Sequence, residues 1–327
     1  MYSYSNIFKW GVRFACIMSK NFGLVGASGF VGVRHIKAIY ETKNELVAAL
    51  DPFDSIGIID KYFPKADFFT TIERFDRYLY KKKNSNDKVD IISICSPNFL
   101  HDSHIRFALR SGCEVICEKP VVINPWNFKL IKKTIKEYNK NVFAILQLRH
   151  HPNAIKLKKA VKNTKKKFDV DLTYIAGRGN WYFSSWKGDE EKSGGILMNI
   201  GIHFFDLLEW IFGKVEDTTV HIREKDIAAG YLEYKSARVR WFLSLRFEHL
   251  ANKSSNTHKE LVINNKKIDL NEGFENLHTL SYKKILQNKG FKITEAESSI
   301  RTVFKLRQEK LSFAKNDYHP LIKEIMK

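Results

Sequence analysis

Phe22-Gly-Leu-Val-Gly-Ala-Ser-Gly-Phe-Val-Gly32 is a short apolar run that opens into three glycines at three-residue spacing, Gly26, Gly29 and Gly32. It reads as a buried strand entering a tight turn. A helix follows, with Val33, Ile36, Ile39 and Tyr40 at helical spacing and Arg34, Lys37 and Glu41 outside. Bare backbone lets a pyrophosphate approach, and a helix start offers free N–H groups and the positive end of its dipole. A glycine turn alone is weak evidence. Leu46-Val-Ala-Ala-Leu-Asp51 strengthens it: a second apolar strand ends in an acid, about twenty residues past the glycines. Such an acid accepts hydrogen bonds from an adenosine ribose and repels a 2′-phosphate, which favours NAD over NADP. The competing reading of Asp51 is a turn residue beside Pro52. Gly26, Ser28, Gly29, Phe30 and Val31 are the candidate contacts of the turn.

The alternation continues outward. Val89 to Cys95 is a continuous strand that runs into Ser96-Pro-Asn-Phe-Leu-His101. Ile105, Ala108 and Leu109 then mark a helix that stops at Gly112. In Glu114-Val-Ile-Cys-Glu-Lys-Pro120, a strand from Val115 to Cys117 delivers Glu118 and Lys119 into a proline-fixed turn. A lysine at the carboxyl end of a parallel strand faces the crevice where open α/β sheets bind ligands; the plain alternative is an exposed strand-end lysine. A helix is expected from about Pro125 to Lys140, with Asn124 as N-cap and Phe128, Ile131 and Ile135 inward, and a last strand over Val142 to Leu148. Residues 18–148 thus read as an α/β domain, a doubly wound parallel sheet of Rossmann type.

From Gln147-Leu-Arg-His-His151 onward the pattern changes to long alternating strands: Phe168 to Arg178, Thr218 to Arg223, Tyr231 to Arg246 and Glu260 to Leu270. They predict a second α/β domain over 149–327 with a large, open, mostly antiparallel sheet. Ile300 to Phe313 reads as a final helix packing back on the first domain. Between the first two strands, Asn199 and His203 are four apart and share a helix face. His203 falls near a helix start, where the dipole disfavours imidazolium, so a neutral base is one reading and a structural histidine the other.

The chain of 327 residues carries a formal charge of +19. Its lysines are scattered, and the runs Lys81–Lys83 and Lys165–Lys167 look like exposed loops without interleaved aromatics, which argues against nucleic-acid binding. No apolar run approaches a membrane span. Cys16, Cys95, Cys113 and Cys117 show no paired framework, which suits reduced thiols in a cytoplasmic protein. His101 with His104, and His150 with His151, lack the carboxylate or cysteine company of a metal site, so no metal is expected. Residues 1–17 fit neither a signal peptide nor the domain after them, and Met18 or a nearby codon is the expected start.

The glycine-turn strand, the Ser96-Pro-Asn-x-x-His101 turn and Glu118-Lys-Pro120 together resemble the glucose-fructose oxidoreductase/inositol dehydrogenase family of NAD(P)-dependent sugar dehydrogenases. The resemblance covers nearly everything from Met18 on. It implies cofactor contacts at Ser96, Pro97, Asn98, His101, Glu118 and Lys119, a catalytic pair Lys119 and His203, and a homotetramer joined through the second sheet. Many members hold an acid four residues before the histidine; here it is Asn199, which cannot share a proton. A narrower set is Gln147-Leu-Arg-His-His151, Arg178-Gly-Asn-Trp-Tyr182, Ser185-Trp-Lys-Gly-Asp189, Ala237-Arg-Val-Arg-Trp-Phe-Leu-Ser244, Gly273-Phe-Glu-Asn-Leu-His278 and Ser281-Tyr282. These blocks resemble the UDP-N-acetyl-2-amino-2-deoxyglucuronate 3-dehydrogenases of bacterial surface-polysaccharide synthesis, with 2-oxoglutarate as a recycling oxidant and a PLP aminotransferase as pathway neighbour.

A UDP-sugar acid carries two phosphates and a carboxylate, and Arg149, Arg178, Lys187, Arg238 and Arg240 are candidate anion partners. Trp181, Tyr182 and Trp186 are candidates to pack on sugar or uracil faces, and Asn180 and Asn199 to orient hydroxyls. The competing readings are an aromatic core segment with ordinary surface arginines, and for Arg238 and Arg240 an interface. Two other functions stay open: the same fold acting on a free polyol, and a non-catalytic NAD-binding regulator.

Overall fold

The computed structural model describes residues 19–250, 252, 254–270, 276–313 and 317–325. The expected start at Met18, the segment before it with Cys16, and the Gly273-Phe-Glu part of one sequence block lie outside the described residues.

The first domain runs β1 (Asn21–Val25), α1 (Gly32–Glu41), β2 (Glu45–Leu50), α2 (Ile58–Tyr62), β3 (Asp67–Phe69), α3 (Ile72–Lys82), β4 (Ile91–Ile94), α4 (His101–Arg110), β5 (Glu114–Cys117), α5 (Asn127–Tyr138) and β6 (Val142–Ala144). Its six strands are all parallel in the order β3-β2-β1-β4-β5-β6. The order reverses between β1 and β4, which opens a crevice at their carboxyl ends. Sides of each strand alternate between two apolar layers. Phe22, Leu24, Ile91 and Ile116 meet Ile36 and Ile39 of α1, whereas Val25, Ile92, Ile94 and Val115 meet Phe75, Leu109 and Ile131 of α3, α4 and α5.

Several expected bounds shift. Strand β3 and helices α2 and α3 fill a stretch the sequence pattern left blank, and Lys81 and Lys82 lie in the last turn of α3, where cations favour the dipole, rather than in a loop. Helix α5 starts at Asn127, with Trp126 and not Asn124 at its N-cap position and no side-chain cap. The strand expected to reach Leu148 ends at Ala144 and becomes a 3₁₀ turn over Gln147–His150. Val33 and Tyr40 of α1 are exposed, while His35 is fully buried beside Ile36 and Ile39. The inward face is rotated because another helix covers the His35 side, as described next.

The second domain continues with α6 (Pro152–Lys162), β7 (Phe168–Ala176), α7 (Asn180–Ser184), α8 (Glu190–Ser193), α9 (Ile202–Phe212), β8 (Val215–Arg223), β9 (Ile227–Tyr234), β10 (Ala237–Ser244), β11 (Thr257–Ile263) and β12 (Lys266–Ile268), then α10 (Leu277–Leu286), α11 (Glu297–Gln308) and α12 (Pro320–Ile325). Its sheet has the order β12-β11-β7-β10-β9-β8, antiparallel except for β7 beside β10. The stretch Tyr231–Arg246 is two strands joined at Lys235-Ser236, and Glu260–Leu270 folds back at Asn264-Asn265, both left-handed. Helices α6, α9 and α11 cover one sheet face. Over part of the other, Ile322 of α12 packs on Ile175, Ile227 and Phe242.

The return to the first domain comes earlier than expected. It is α10 that packs on α1, with Tyr282 among Phe22, Leu24 and Ile39. Helix α11 packs chiefly on α9 and touches the first domain through Phe304 against Trp126 and Glu297 with Lys132. The stretch Glu190–Phe212 is long and apolar enough to cross a membrane, yet 78% of its most apolar window is buried inside the fold, as in a core helix.

Candidate active site

The glycine turn leaves β1 at the point where β4 also ends. Gly26 has φ +90, and a Cβ there would stand 2.5 Å from the Ser96 amide nitrogen; one on Gly32 would stand 2.4 Å from the Ala27 carbonyl oxygen. Both positions require glycine for the protein's own sake. Gly29 does not: a Cβ there would meet nothing closer than 3.5 Å, so the bare backbone leaves room for something outside the chain. Asp51, at the end of β2, accepts the Ser28 N–H at 2.9 Å and the Phe53 N–H at 3.0 Å. Its carboxylate is thereby held at the rim of the turn, where a ribose beyond the pyrophosphate would lie. Phe30 is exposed, with Arg34 5.0 Å above its ring. These residues fit a dinucleotide.

The Ser96-Pro97-Asn98 turn faces the glycines. Ser96 Oγ bonds His104 Nδ1 at 2.9 Å. Asn98 reaches across to the second domain, donating to the Ser193 carbonyl at 2.9 Å and to Asn199 Oδ1 at 3.2 Å. His101 is buried, and its two nitrogens meet the carbonyls of Pro120 at 2.7 Å and Ser96 at 2.8 Å. His101 thereby lies between the Ser96 and Pro120 turns.

Glu118, expected as a cofactor contact, is buried and bonded within the protein. Its Oε1 accepts from His35 Nε2 at 3.0 Å and His278 Nε2 at 2.9 Å, and its Oε2 from the Lys119 N–H at 3.2 Å. Those bonds hold its pKa well below the usual carboxylate range despite burial that pushes the other way. Three potential ligand atoms of His35, Glu118 and His278 lie within 4.8 Å of one another, a cluster that the histidine spacings gave no hint of.

Lys119 follows in a cis peptide to Pro120 and borders a narrow cavity with Gln147, His203, Asp206 and Ser299. Burial lowers the Lys119 amine to about 8, against the raising effect of Glu118. Burial first, and then the Lys119 charge, hold His203 well below the ordinary imidazole value. The neutral ring anticipated from a helix dipole is therefore present for a different reason. Preceding α9, residues Leu197–Gly201 form a π turn, and its Asn199 donates to the Tyr182 hydroxyl at 2.7 Å. Asn98, Asn199 and Tyr182 thus form one chain of side chains across the domain junction.

Of the expected anion and aromatic contacts, some fit and some do not. Arg149 is buried and forked onto Asp206 at 2.9 and 2.7 Å, with Glu295 beside it; it is a structural tie between helices. Arg240 is spent on Asp171 of the neighbouring strand, and Arg238 shares that outer sheet face. Tyr182 is buried, its ring against Trp181 and Phe183, and offers no open stacking face. Trp181 is exposed, with Lys187 lying over it at 5.7 Å and over Trp186 at 4.6 Å. Asn180 is exposed at the start of α7, and Arg178 is half-buried with Nη1 on the Gly177 carbonyl. Lys259 of β11, not anticipated, sits over Tyr174, and its charge acts on His203. It belongs to an alternating strand that gave no motif.

The chain matches two family models: the oxidoreductase family's NAD-binding Rossmann fold over residues 20–145, and that family's C-terminal alpha/beta domain over 165–262. It is 42% identical to the WlbA (WbpB) dehydrogenase of Thermus thermophilus, covering 92% of this chain and 99% of that one. That protein's structures with NAD and alpha-ketoglutarate, and with NAD and UDP-GlcNAcA, align at TM-scores of 0.89 and 0.88. Among curated proteins, D-glucoside 3-dehydrogenase of Escherichia coli is 28% identical over 143 residues, and inositol 2-dehydrogenase of Rhizobium meliloti 25% over 201. These matches cover 42% and 60% of this chain and span 40% and 56% of those relatives.

Proposed function

The chain belongs to the GFO/IDH/MocA oxidoreductase family, with an NAD-binding Rossmann domain, and from that premise we propose that it oxidises the C3 hydroxyl of UDP-N-acetyl-D-glucosaminuronic acid to a 3-keto sugar. The observation that carries this reading is that His203 and Lys119 line one cavity, with burial holding the imidazole well below its ordinary value and lowering the amine to about 8. Similarity to the Thermus protein, whose structure holds UDP-GlcNAcA, supports the substrate.

Bound NAD would supply the acceptor for the hydride leaving C3. The protein's part is proton and charge. Neutral His203 takes the hydroxyl proton, which requires an unprotonated ring at neutral pH. Lys119 donates a hydrogen bond to the same oxygen as negative charge develops on it. Asn199 cannot accept the proton, and its place between Asn98 and Tyr182 gives it an orienting role. Arg178, Lys187 and Lys259 supply positive charge for the diphosphate and carboxylate, and exposed Trp181 and half-buried Trp186 supply stacking faces. In the same reading 2-oxoglutarate would be the recycling oxidant, itself reduced to 2-hydroxyglutarate. A PLP aminotransferase then takes the ketone, in cytoplasmic synthesis of lipopolysaccharide O-antigen sugars, and the enzyme works as a homotetramer.

The test is NADH absorbance on mixing protein, NAD and UDP-GlcNAcA, with and without 2-oxoglutarate, beside free inositol and a free glucoside. A stoichiometric rise with the UDP-sugar alone, converted to turnover by 2-oxoglutarate, is expected. Activity confined to the free sugars would move the function to the polyol class.

A further inference from the structure

Asn98, Asn199 and Tyr182 come from three places: the turn after β4, the π turn ahead of α9, and α7. The direction of each bond between them follows from a fourth group, the Ser193 carbonyl. Ser193 is fully buried at the end of α8, its own hydroxyl donating to the Asp189 carbonyl at 2.8 Å. A carbonyl can only accept. The Asn98 atom that meets it at 2.9 Å is therefore the amide nitrogen, since an oxygen there would face an oxygen. That nitrogen's second hydrogen meets Asn199 at 3.2 Å, so the Asn199 atom on that side is Oδ1. Its Nδ2 then stands 2.7 Å from the Tyr182 hydroxyl and donates to it. The tyrosine oxygen accepts, and its own hydrogen is left over. Among the described residues, Asn199 is the one hydrogen-bond partner of that hydroxyl. An aspartate at 199 would reverse the last bond, because a carboxylate has no hydrogen to give and would take the tyrosine's.

We propose that the Ser193 carbonyl, acting through Asn98 and Asn199, fixes the Tyr182 hydroxyl as a hydrogen-bond donor toward the substrate, and that Tyr182 thereby selects an oxygen that can only accept. This deepens the reading of the site as a UDP-sugar acid pocket and rests on it. Asn199 is half-buried, about one turn before His203, and Tyr182 shares α7 with the exposed Trp181. The bridge therefore runs from the cofactor side of the cleft to the loop that carries the candidate sugar and uracil contacts. In the sugar of that substrate the acceptor-only oxygens are the acetamido carbonyl and the carboxylate. A sugar hydroxyl can also accept, but it brings a hydrogen that needs a partner of its own. Asn199 and Ser193 are thus positioning residues, and Tyr182 is the one that reads the ligand.

The experiment measures ligand affinity of the NAD-loaded protein by isothermal titration. The ligands are UDP-GlcNAcA, UDP-glucuronic acid, which lacks the acetamide, and UDP-GlcNAc, which lacks the carboxylate. Tyr182→Phe is expected to weaken UDP-GlcNAcA about tenfold and to leave one of the two analogues unchanged, which identifies the oxygen contacted. No loss for UDP-GlcNAcA, or an equal loss for all three, overturns the proposal. In an Asn199→Asp background the tyrosine hydrogen is already spent on the carboxylate, so adding Tyr182→Phe should cost no further affinity. The added charge is common to both of those proteins and cancels. A second tenfold loss there overturns the proposal. The tyrosine Raman doublet reports the bond direction without any ligand. The Tyr182 contribution, taken as the difference from the matching phenylalanine variant, should change from an accepting phenol toward a donating one in Asn199→Asp. An unchanged doublet overturns the proposal. Should Tyr182→Phe not fold, the doublet of Asn199→Asp against the parent decides. A parent that binds none of the three ligands sinks the substrate reading, and the Raman change then decides the polarity of the bridge on its own.

Discussion

At the residue scale, the two groups on the cavity set the pH dependence. His203 is held well below 6.5, so its ring stays neutral, and competent as a base, below the pH at which a free histidine would be half protonated. Lys119 titrates at about 8, so its ammonium is lost as pH rises through that value. The kcat/KM of the parent is therefore expected to hold level from about pH 6.5 to 7.5 and to decline above 8; a profile rising through 8 would show that the neutral amine is the active form. His203→Asn and Lys119→Met should each lower kcat by about 10² to 10⁴ while leaving the melting temperature close to that of the parent. A loss under tenfold in both would favour the regulatory reading.

At the element scale, Arg149 separates binding from architecture. It lies on the 3₁₀ turn after β6 and forks onto Asp206 of α9, with Glu295 ahead of α11. Arg149→Met leaves two carboxylates unpaired, one of them buried, at a cost of about 3–5 kcal/mol. Denaturant unfolding should show this, and KM for the sugar nucleotide should not change in whatever fraction stays folded. Gly26→Ala forces a Cβ into the Ser96 amide at a left-handed φ, so it should abolish NAD binding by isothermal titration and lower stability. The parallel sheet was readable because its strands are buried on both faces, and Val89–Cys95 or Leu46–Leu50 show as unbroken apolar runs. Strand β3, only Asp67–Phe69 at an edge, has no such run. The hairpin turns at Lys235-Ser236 and Asn264-Asn265 were missed because alternation continues across each of them with little Gly or Pro to break it. In the site, motifs pointed to Lys119 and His203, which line one cavity, whereas His35, His278 and Lys259 are placed by partners on other elements. No local spacing encodes those contacts. Arg149 was misread for the same reason: an arginine's type shows what it can bind, and only the fold shows that Asp206 already has it.

At the scale of the whole molecule, several histidines are held neutral by burial. His104 and His150 fall to about 4 and His319 to about 3. Each is lower than in the unfolded chain, so between about 6.5 and those values the unfolded state binds more protons, and unfolding free energy rises with pH across that window. Stability should be nearly constant from pH 7 to 8, fall as pH drops below about 6.5, and keep falling to about 4. Guanidinium midpoints at pH 7.5, 6 and 5 measure it, and equal midpoints at 7.5 and 5 would contradict the burial of these rings. The +19 charge works in the same direction, since self-repulsion grows as carboxylates are neutralised.

The docking of α10 on α1 also orders events during synthesis. The last strand of the first sheet is complete at Ala144, but His278 and Tyr282 are made more than 130 residues later. At about 5–20 residues per second, the nascent first domain waits roughly 7 to 30 seconds with the site of Glu118 unroofed. Over that interval the acid can stay wet or take up a proton, and the apolar patch of Phe22, Leu24 and Ile39 that Tyr282 later covers stays open to solvent. A fragment ending near residue 150 would keep this exposed patch permanently, making it a client for chaperones rather than a free-standing nucleotide-binding module.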